Sequence, residues 1–179
     1  IADRMFRSLA LGLVELLGMA VFPRRPLAGV RVDRRALELL GAGRGAVIAT
    51  AHTRNWDLTA CAAAERVPLW VVTKHLSVRF LARLWQRVRA RRGVQLVGEG
   101  AASRAAAGAL ARGEAVAMLV DQAPERTRSV IVTSFLGELA EVDLAPALIA
   151  MRARVPLAAV FSRRLADGTH LAELLAVLE

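Results

Sequence analysis

The chain has 179 residues, 55% of them hydrophobic, which excludes a mainly disordered chain and supplies one domain with enough apolar material for a continuous core. Its net charge of +9 rests almost wholly on arginine, with Lys74 the single lysine, and favours acidic partners: lipid phosphates, an acidic carrier protein or nucleic acid. Nucleic acid is set aside, because aromatic residues make up only 4% of the chain, tyrosine is absent and no zinc-ligand spacing occurs.

The first element expected is a helix over 5–22, "MFRSLALGLVELLGMAVF", whose apolar residues at 5, 6, 9, 13, 16, 17, 20 and 21 recur at helical spacing before "PRRP" ends the run. Glu15 and Arg7 oppose a membrane span, since a carboxylate at the bilayer centre costs about 3 kcal/mol. Residues 1–26 therefore read as a membrane-facing interfacial helix, with Arg4, Arg7, Arg24 and Arg25 beside anionic headgroups. The alternative is the first core helix of a soluble domain. Nothing in the segment resembles a cleavable signal peptide.

From residue 45 short β-rich runs alternate with helical ones. Strands are expected at 45–50, 69–73, 94–98, 115–120, 130–135 and 156–161, and helices near 57–66, 77–91, 101–112 and 143–153. Several strands are apolar on both faces, so the pattern predicts an α/β fold, a mostly parallel central sheet covered by helices, in a single domain over 1–179. Functional groups in such sheets collect at the carboxyl ends of the strands. His52 follows the first of these strands, Lys74 the second and Asp121 the fourth. Cys61, the single cysteine, lies in "LTACAAAE" and reads as a small buried residue rather than a nucleophile.

The stretch "AHTRNWDLTA" (51–60) puts His52 five positions before Asp57. With a helix starting near Trp56, Asp57 would accept the Nδ1 proton of His52 and leave Nε2 to take a proton from a substrate hydroxyl. Alternatively Asp57 or Asn55 caps the helix and His52 is incidental. Spacing leaves both readings open.

"AHTRNWD" resembles the H-x-x-x-x-D motif of the glycerolipid acyltransferase superfamily, and its Asn-Trp before the acid resembles the lipid A late acyltransferase branch. "RVRARRGVQLV" (87–97), "ALARGEAVAMLVDQAP" (109–124), "VIVTSFLG" (130–137) and "ALIAMRARVPLAAVFSRR" (147–164) are similar to further segments of that branch, in the same order. The resemblance covers about residues 45–170. Three departures stand out. Asp57 occupies a position where the branch carries glutamate. "PERTRS" (124–129) is similar to the "PEGTRS" block of lysophosphatidic acid acyltransferases, with Arg126 in place of glycine. The chain stops soon after "SRRLADGTHLAELLAVLE", where family members continue, and it opens on Ile1, so an incomplete chain is expected, above all at the C-terminal end.

The resemblance implies transfer of a fatty acyl group from a thioester, on acyl carrier protein or coenzyme A, to a hydroxyl of a bacterial lipid or glycolipid. It implies a peripheral protein on the cytoplasmic face of the inner membrane, working on an anionic surface with no metal, cofactor or acyl-enzyme. His52 is then the general base and Asp57 its orienter. Asn55, Arg89, Arg92, Asp121, Gln122, Phe135 and Gly137 are the implied substrate-binding residues. Of these, Arg89 or Arg92 would meet the thioester oxyanion or an acceptor phosphate, while Phe135, Leu136 and Gly137 close the pocket. The arginines read equally well as a solvated basic stripe with Arg79, Arg83 and Arg87. Two other functions fit the pattern: a lysophosphatidate-type acyltransferase, and an inactive lipid-binding module of the same fold.

Overall fold

The computed structural model describes residues 2–22, 27, 29–73, 79–98, 102–122 and 129–179. Arg24, Arg25, Lys74, His75 and Arg126, with the side chains of Arg4 and Arg79, lie outside the described residues. In chain order the elements are α1 (Ala2–Val21), β1 (Val30–Val32), α2 (Arg34–Leu40), β2 (Ala46–Thr50), α3 (Trp56–Ala64), β3 (Leu69–Thr73), α4 (Arg79–Arg91) and β4 (Gln95–Gly98). They continue with α5 (Ala102–Ala111), β5 (Ala115–Leu119), β6 (Val130–Phe135), β7 (Glu138–Asp143), α6 (Ala145–Ala153), β8 (Leu157–Arg164) and β9 (His170–Leu178).

Side-chain alternation along the central strands builds two cores. Ala46, Ile48, Ala115 and Ala117 turn to one face of the sheet and pack with Met19 of α1, Leu58 and Cys61 of α3 and Val88 of α4. Val47, Val116 and Met118 turn to the other, against Ala106 and Leu110 of α5 and Ala150 of α6. The seven-stranded sheet has the order β1-β9-β8-β2-β5-β3-β4. The fold is thus the expected α/β sheet, mostly parallel and flanked by helices. The turn after α5 meets the turn between α2 and β2 at Gly113 (φ +78), where a Cβ would lie 2.2 Å from the Gly43 carbonyl oxygen, so only glycine fits.

Two expected strands behave differently from the pattern. Residues 130–135 form a strand, but β6 pairs only with β7, in an antiparallel hairpin outside the main sheet. The strand expected at 156–161 runs to Arg164 and pairs antiparallel with β9, a strand the sequence pattern did not announce. Leu, Ala and Glu dominate β9 and favour helix intrinsically; pairing with β8 from Leu157↔Leu178 to Arg164↔His170 overrides that preference. β1, α2 and β7 were likewise not anticipated.

Strands β2, β3, β4, β5 and β8 run in one direction, so their carboxyl ends share a rim. β9 runs against β8 and β1 runs with β9, so both begin at that same rim. α1 is fastened there with an unusual polarity. Ser8, Gly12, Glu15 and Met19 turn toward the body, whereas Phe6, Leu9, Leu13, Leu17 and Val21 turn outward and are exposed. Among the described residues no helix is long and apolar enough to cross a membrane.

Candidate active site

β2 delivers His52 to the rim. After Thr50 the chain makes a three-residue turn in which Thr53 N donates to Ala51 O at 2.7 Å, and His52 sits at its middle. Thr50 pairs with Leu119 across β2 and β5, so His52 and Asp121, each two residues further on, arrive side by side. The Asp121 carboxylate grips the histidine twice: Oδ1 lies 2.8 Å from the ring Nδ1 and Oδ2 accepts from the His52 backbone N–H at 2.9 Å. Partial burial pushes the Asp121 carboxyl up. The hydrogen bonds from the ring and backbone of His52, and the charge of that ring, outweigh burial and hold it below the usual carboxylate range. The His52 side chain is 42% exposed, and no hydrogen bond from a described residue engages its Nε2.

Where the motif leads to an expected bond between His52 and Asp57, the structure bonds the His52 ring to Asp121 and turns the Asp57 carboxylate to Arg89 and Trp85. Asp57 is buried in the first turn of α3, where it accepts from Arg89 Nε at 2.5 Å and from Trp85 Nε1 at 3.2 Å. An acid there also suits the amino-terminal end of the helix dipole. The Arg89 guanidinium lies 4.9 Å from the Trp56 ring centroid and 5.9 Å from that of Trp85. Trp56 in turn presents its ring edge-on to His52, centroids 5.9 Å apart at 87°. Asp57 therefore pins α4 to α3 and, through Trp56, backs the histidine. The Arg89 guanidinium is committed to Asp57 and its side chain is only 11% exposed.

Asn55 is turned away from the rim surface too. It occupies the cap position of α3 without making a cap bond; its Nδ2 donates instead to Gly12 O at 3.2 Å and to Glu15 at 2.9 Å on α1. Arg54, held at φ +51, donates to Ser8 of the same helix at 2.9 Å. Glu15 completes the junction by pairing with Arg164 and by lying 3.1 Å from His170 Nε2, which is itself 3.4 Å from the Arg164 guanidinium. Burial, then the charges of Arg164 and Arg54, push the His170 pKa down and favour the neutral ring. The sequence motif carried the loop residues but held no sign of this clamp, whose partners lie up to 155 positions apart.

The remaining expected residues are dispersed. Gln122 is exposed next to Asp121. Arg92 is buried and bonds Glu65 at 2.9 Å behind α3. Phe135 and Gly137 stand at the tip of the β6–β7 hairpin, where Phe135 is exposed. Cys61 is fully buried, and burial followed by the nearby Asp57 charge pushes its thiol up to about 12, which leaves it inert as a nucleophile. No three His, Cys, Asp or Glu side chains among the described residues gather as a metal site.

Fold and site together define an α/β protein whose sheet rim carries a histidine hydrogen-bonded to a carboxylate, an arrangement capable of general-base chemistry. The chain belongs to the bacterial lipid A biosynthesis acyltransferase family, whose model matches residues 1–175. No curated protein matches it.

Proposed function

We propose that this chain is a membrane-surface O-acyltransferase that moves a fatty acyl group from an acyl thioester, carried by acyl carrier protein or coenzyme A, to a hydroxyl of a bacterial lipid or glycolipid. The observation that carries this reading is the 2.8 Å bond between His52 Nδ1 and Asp121 Oδ1, which leaves Nε2 unengaged by any described residue. Nε2 removes the proton of the acceptor hydroxyl while its oxygen attacks the thioester carbonyl. The resulting oxyanion collapses, the C–S bond breaks, and the thiolate takes the proton back from the imidazolium. Asp121 fixes the tautomer and stabilises the imidazolium between these two transfers.

Family membership supports the acyl transfer and a lipid acceptor. The outward apolar face of α1 supports work at a bilayer surface, and Glu15, which as part of a spanning helix would face lipid, is instead taken up by Asn55, His170 and Arg164. A groove of ≈ 550 Å³ between α1, β1 and the β8–β9 turn has Val14, Met19, Phe22, Leu27, Val30 and Leu58 in its lining, with Glu15, Arg92, Asp167, Thr169 and His170 as its polar part, and offers room for a fatty chain beside polar groups. On this reading the protein is peripheral on the cytoplasmic face of the inner membrane, where such thioesters are made.

The test is thioester consumption with acyl-CoA and acyl-carrier donors and a bacterial lipid extract as acceptor. Extract-dependent turnover that disappears in His52→Ala supports the reading. Turnover of equal rate in the folded variant refutes the role of His52.

A further inference from the structure

α4 carries its charge unbalanced. Its sequence, RFLARLWQRVRAR, holds no acid, and Arg83, Arg87 and Arg91 recur one helical turn apart, so that like charges repel along a single stripe. All three are exposed, and none bonds or pairs with a described residue. By contrast Arg34 meets Glu38 one turn on in α2, Arg163 meets Glu173 across β8 and β9, and Arg112 meets Glu114. The stripe is fixed from behind, where Val88 enters the core and Trp85 and Arg89 bond Asp57.

This stripe borders a groove of ≈ 780 Å³ between α4 and β4, the last strand of the sheet. Arg83, Gln86 and Arg87 line its helical wall. The groove reaches from the paired residues Trp70 and Gln95 to the paired residues Thr73 and Gly98, at the carboxyl ends of β3 and β4. Back from Gly93 to Arg83 the helix climbs about 15 Å, and on from Gly93 to Gly98 the strand climbs about 16 Å, so Arg83 stands level with the carboxyl rim.

Two guanidinium forks one turn apart, beside an amide, suit a phosphate group. Distance decides whose phosphate it is. β3 and β5 lie between β4 and β2, so three strand spacings, about 14 Å, separate the groove from the end of β2 that carries His52. In an acceptor such as lysophosphatidate the hydroxyl is only a few bonds from the phosphate, too near for one molecule to reach both places. In a thioester of phosphopantetheine about thirteen bonds separate phosphorus from sulfur, as many as in roughly four residues of extended chain, which reach about 15 Å.

We infer that Arg83 and Arg87 bind the phosphate of the acyl donor's phosphopantetheine arm, which then lies across the ends of β3 and β5 and brings its thioester to His52. Coenzyme A and acyl carrier protein share this arm, so the site serves either donor. This rests on the acyltransferase reading given above.

Binding is measured by isothermal titration on the full chain in detergent, with phosphopantetheine and with pantetheine, which lacks the phosphate. The inference expects the phosphate to tighten binding about tenfold in the parent. That advantage disappears when Arg83→Gln and Arg87→Gln are combined, and persists when Arg104→Gln and Arg152→Gln remove the same charge from exposed arginines outside the groove. Glutamine suits a helix as well as arginine does, so both double variants fold. In the thioester assay R83Q/R87Q should raise the KM for acyl-phosphopantetheine about tenfold, with kcat and the acceptor KM unchanged. Turnover by a parent without phosphate preference, or with a preference that R83Q/R87Q keeps, overturns the inference and leaves the acyltransferase reading standing. A rise in the acceptor KM in place of the donor KM assigns the arginines to a lipid phosphate, and an equal loss in R104Q/R152Q reduces them to general charge attraction; either result overturns the inference. A preference lost in R83Q/R87Q from a chain without turnover supports the site and counts against the acyltransferase reading. Absence of both preference and turnover overturns both.

Discussion

Two aspartates flank His52, and they are placed in opposite ways. Asp57, five residues away in sequence, is buried in α3 and spends its carboxylate on Arg89 and Trp85. Asp121, 69 residues away, stands half-exposed at the end of the neighbouring strand and spends both oxygens on His52. The lesson is that the near acid joins two helices of the frame and the far acid holds the histidine ring. Proximity along the chain and proximity of function come apart because strand pairing brings distant ends together.

Substitutions that preserve shape make this contrast testable. His52→Ala should lower turnover most, by about 10³-fold. Asp121→Asn should follow with a loss of about 10²-fold in kcat at little cost in thermal stability, because the amide keeps the size but no longer stabilises the imidazolium. Asp57→Asn should reverse that balance. It leaves Arg89 facing a neutral partner in a nearly buried pair, so a stability loss of about 3 kcal/mol in urea denaturation is expected, with kcat per folded molecule within a few-fold of the parent. The opposite outcome, in which Asp57→Asn silences a stable enzyme and Asp121→Asn does not, would exchange the two roles.

Acid separates the two sides of the loop more gently. His170 has its pKa depressed below the ordinary 6.5, so on acidification the unfolded chain takes up this proton first, and stability falls as pH drops from 6.5 through the folded value. Asp121, also depressed, adds a second decline at lower pH, as the pH drops through its folded value. His170→Gln should flatten the first decline in pH-dependent unfolding and leave the second. The smallest effect is expected for Arg54→Gly, where relief of the positive φ and loss of the Ser8 bond oppose each other at about 1 kcal/mol each; hydrogen exchange over residues 52–55 should rise while the thermal midpoint barely moves.

Much of this architecture was legible in the residues. The runs at 45–50, 69–73 and 115–120 are apolar on both faces because they form the interior of the sheet, and they are strands; 94–98 is a strand at the sheet's edge. What periodicity does not carry is strand order. The β2–β5 pairing that joins His52 to Asp121 is a long-range choice, so Asp121 could be named as a site residue but not as the partner of the histidine. The hairpin was misplaced for a related reason: "VIVTSF" has the composition of a core strand, and only its isolation shows that it faces outward. Arg89 and Asn55 carried the right chemistry for substrate contacts, yet each is occupied by a neighbour, Asp57 in one case and α1 in the other.

The clamp of α1 on the catalytic loop bears on how the protein should be handled in the laboratory. An exposed greasy helix invites removal to obtain a sample that stays dispersed without detergent. Here that trimming would take Glu15 from His170 and Arg164, withdraw the partners of Asn55 and Arg54, and uncover Met19 in the core. A shortened protein that proved inert would thus confound a slackened loop with a lost anchor, and assays on the intact chain in detergent or nanodiscs are the sound basis for any rate comparison.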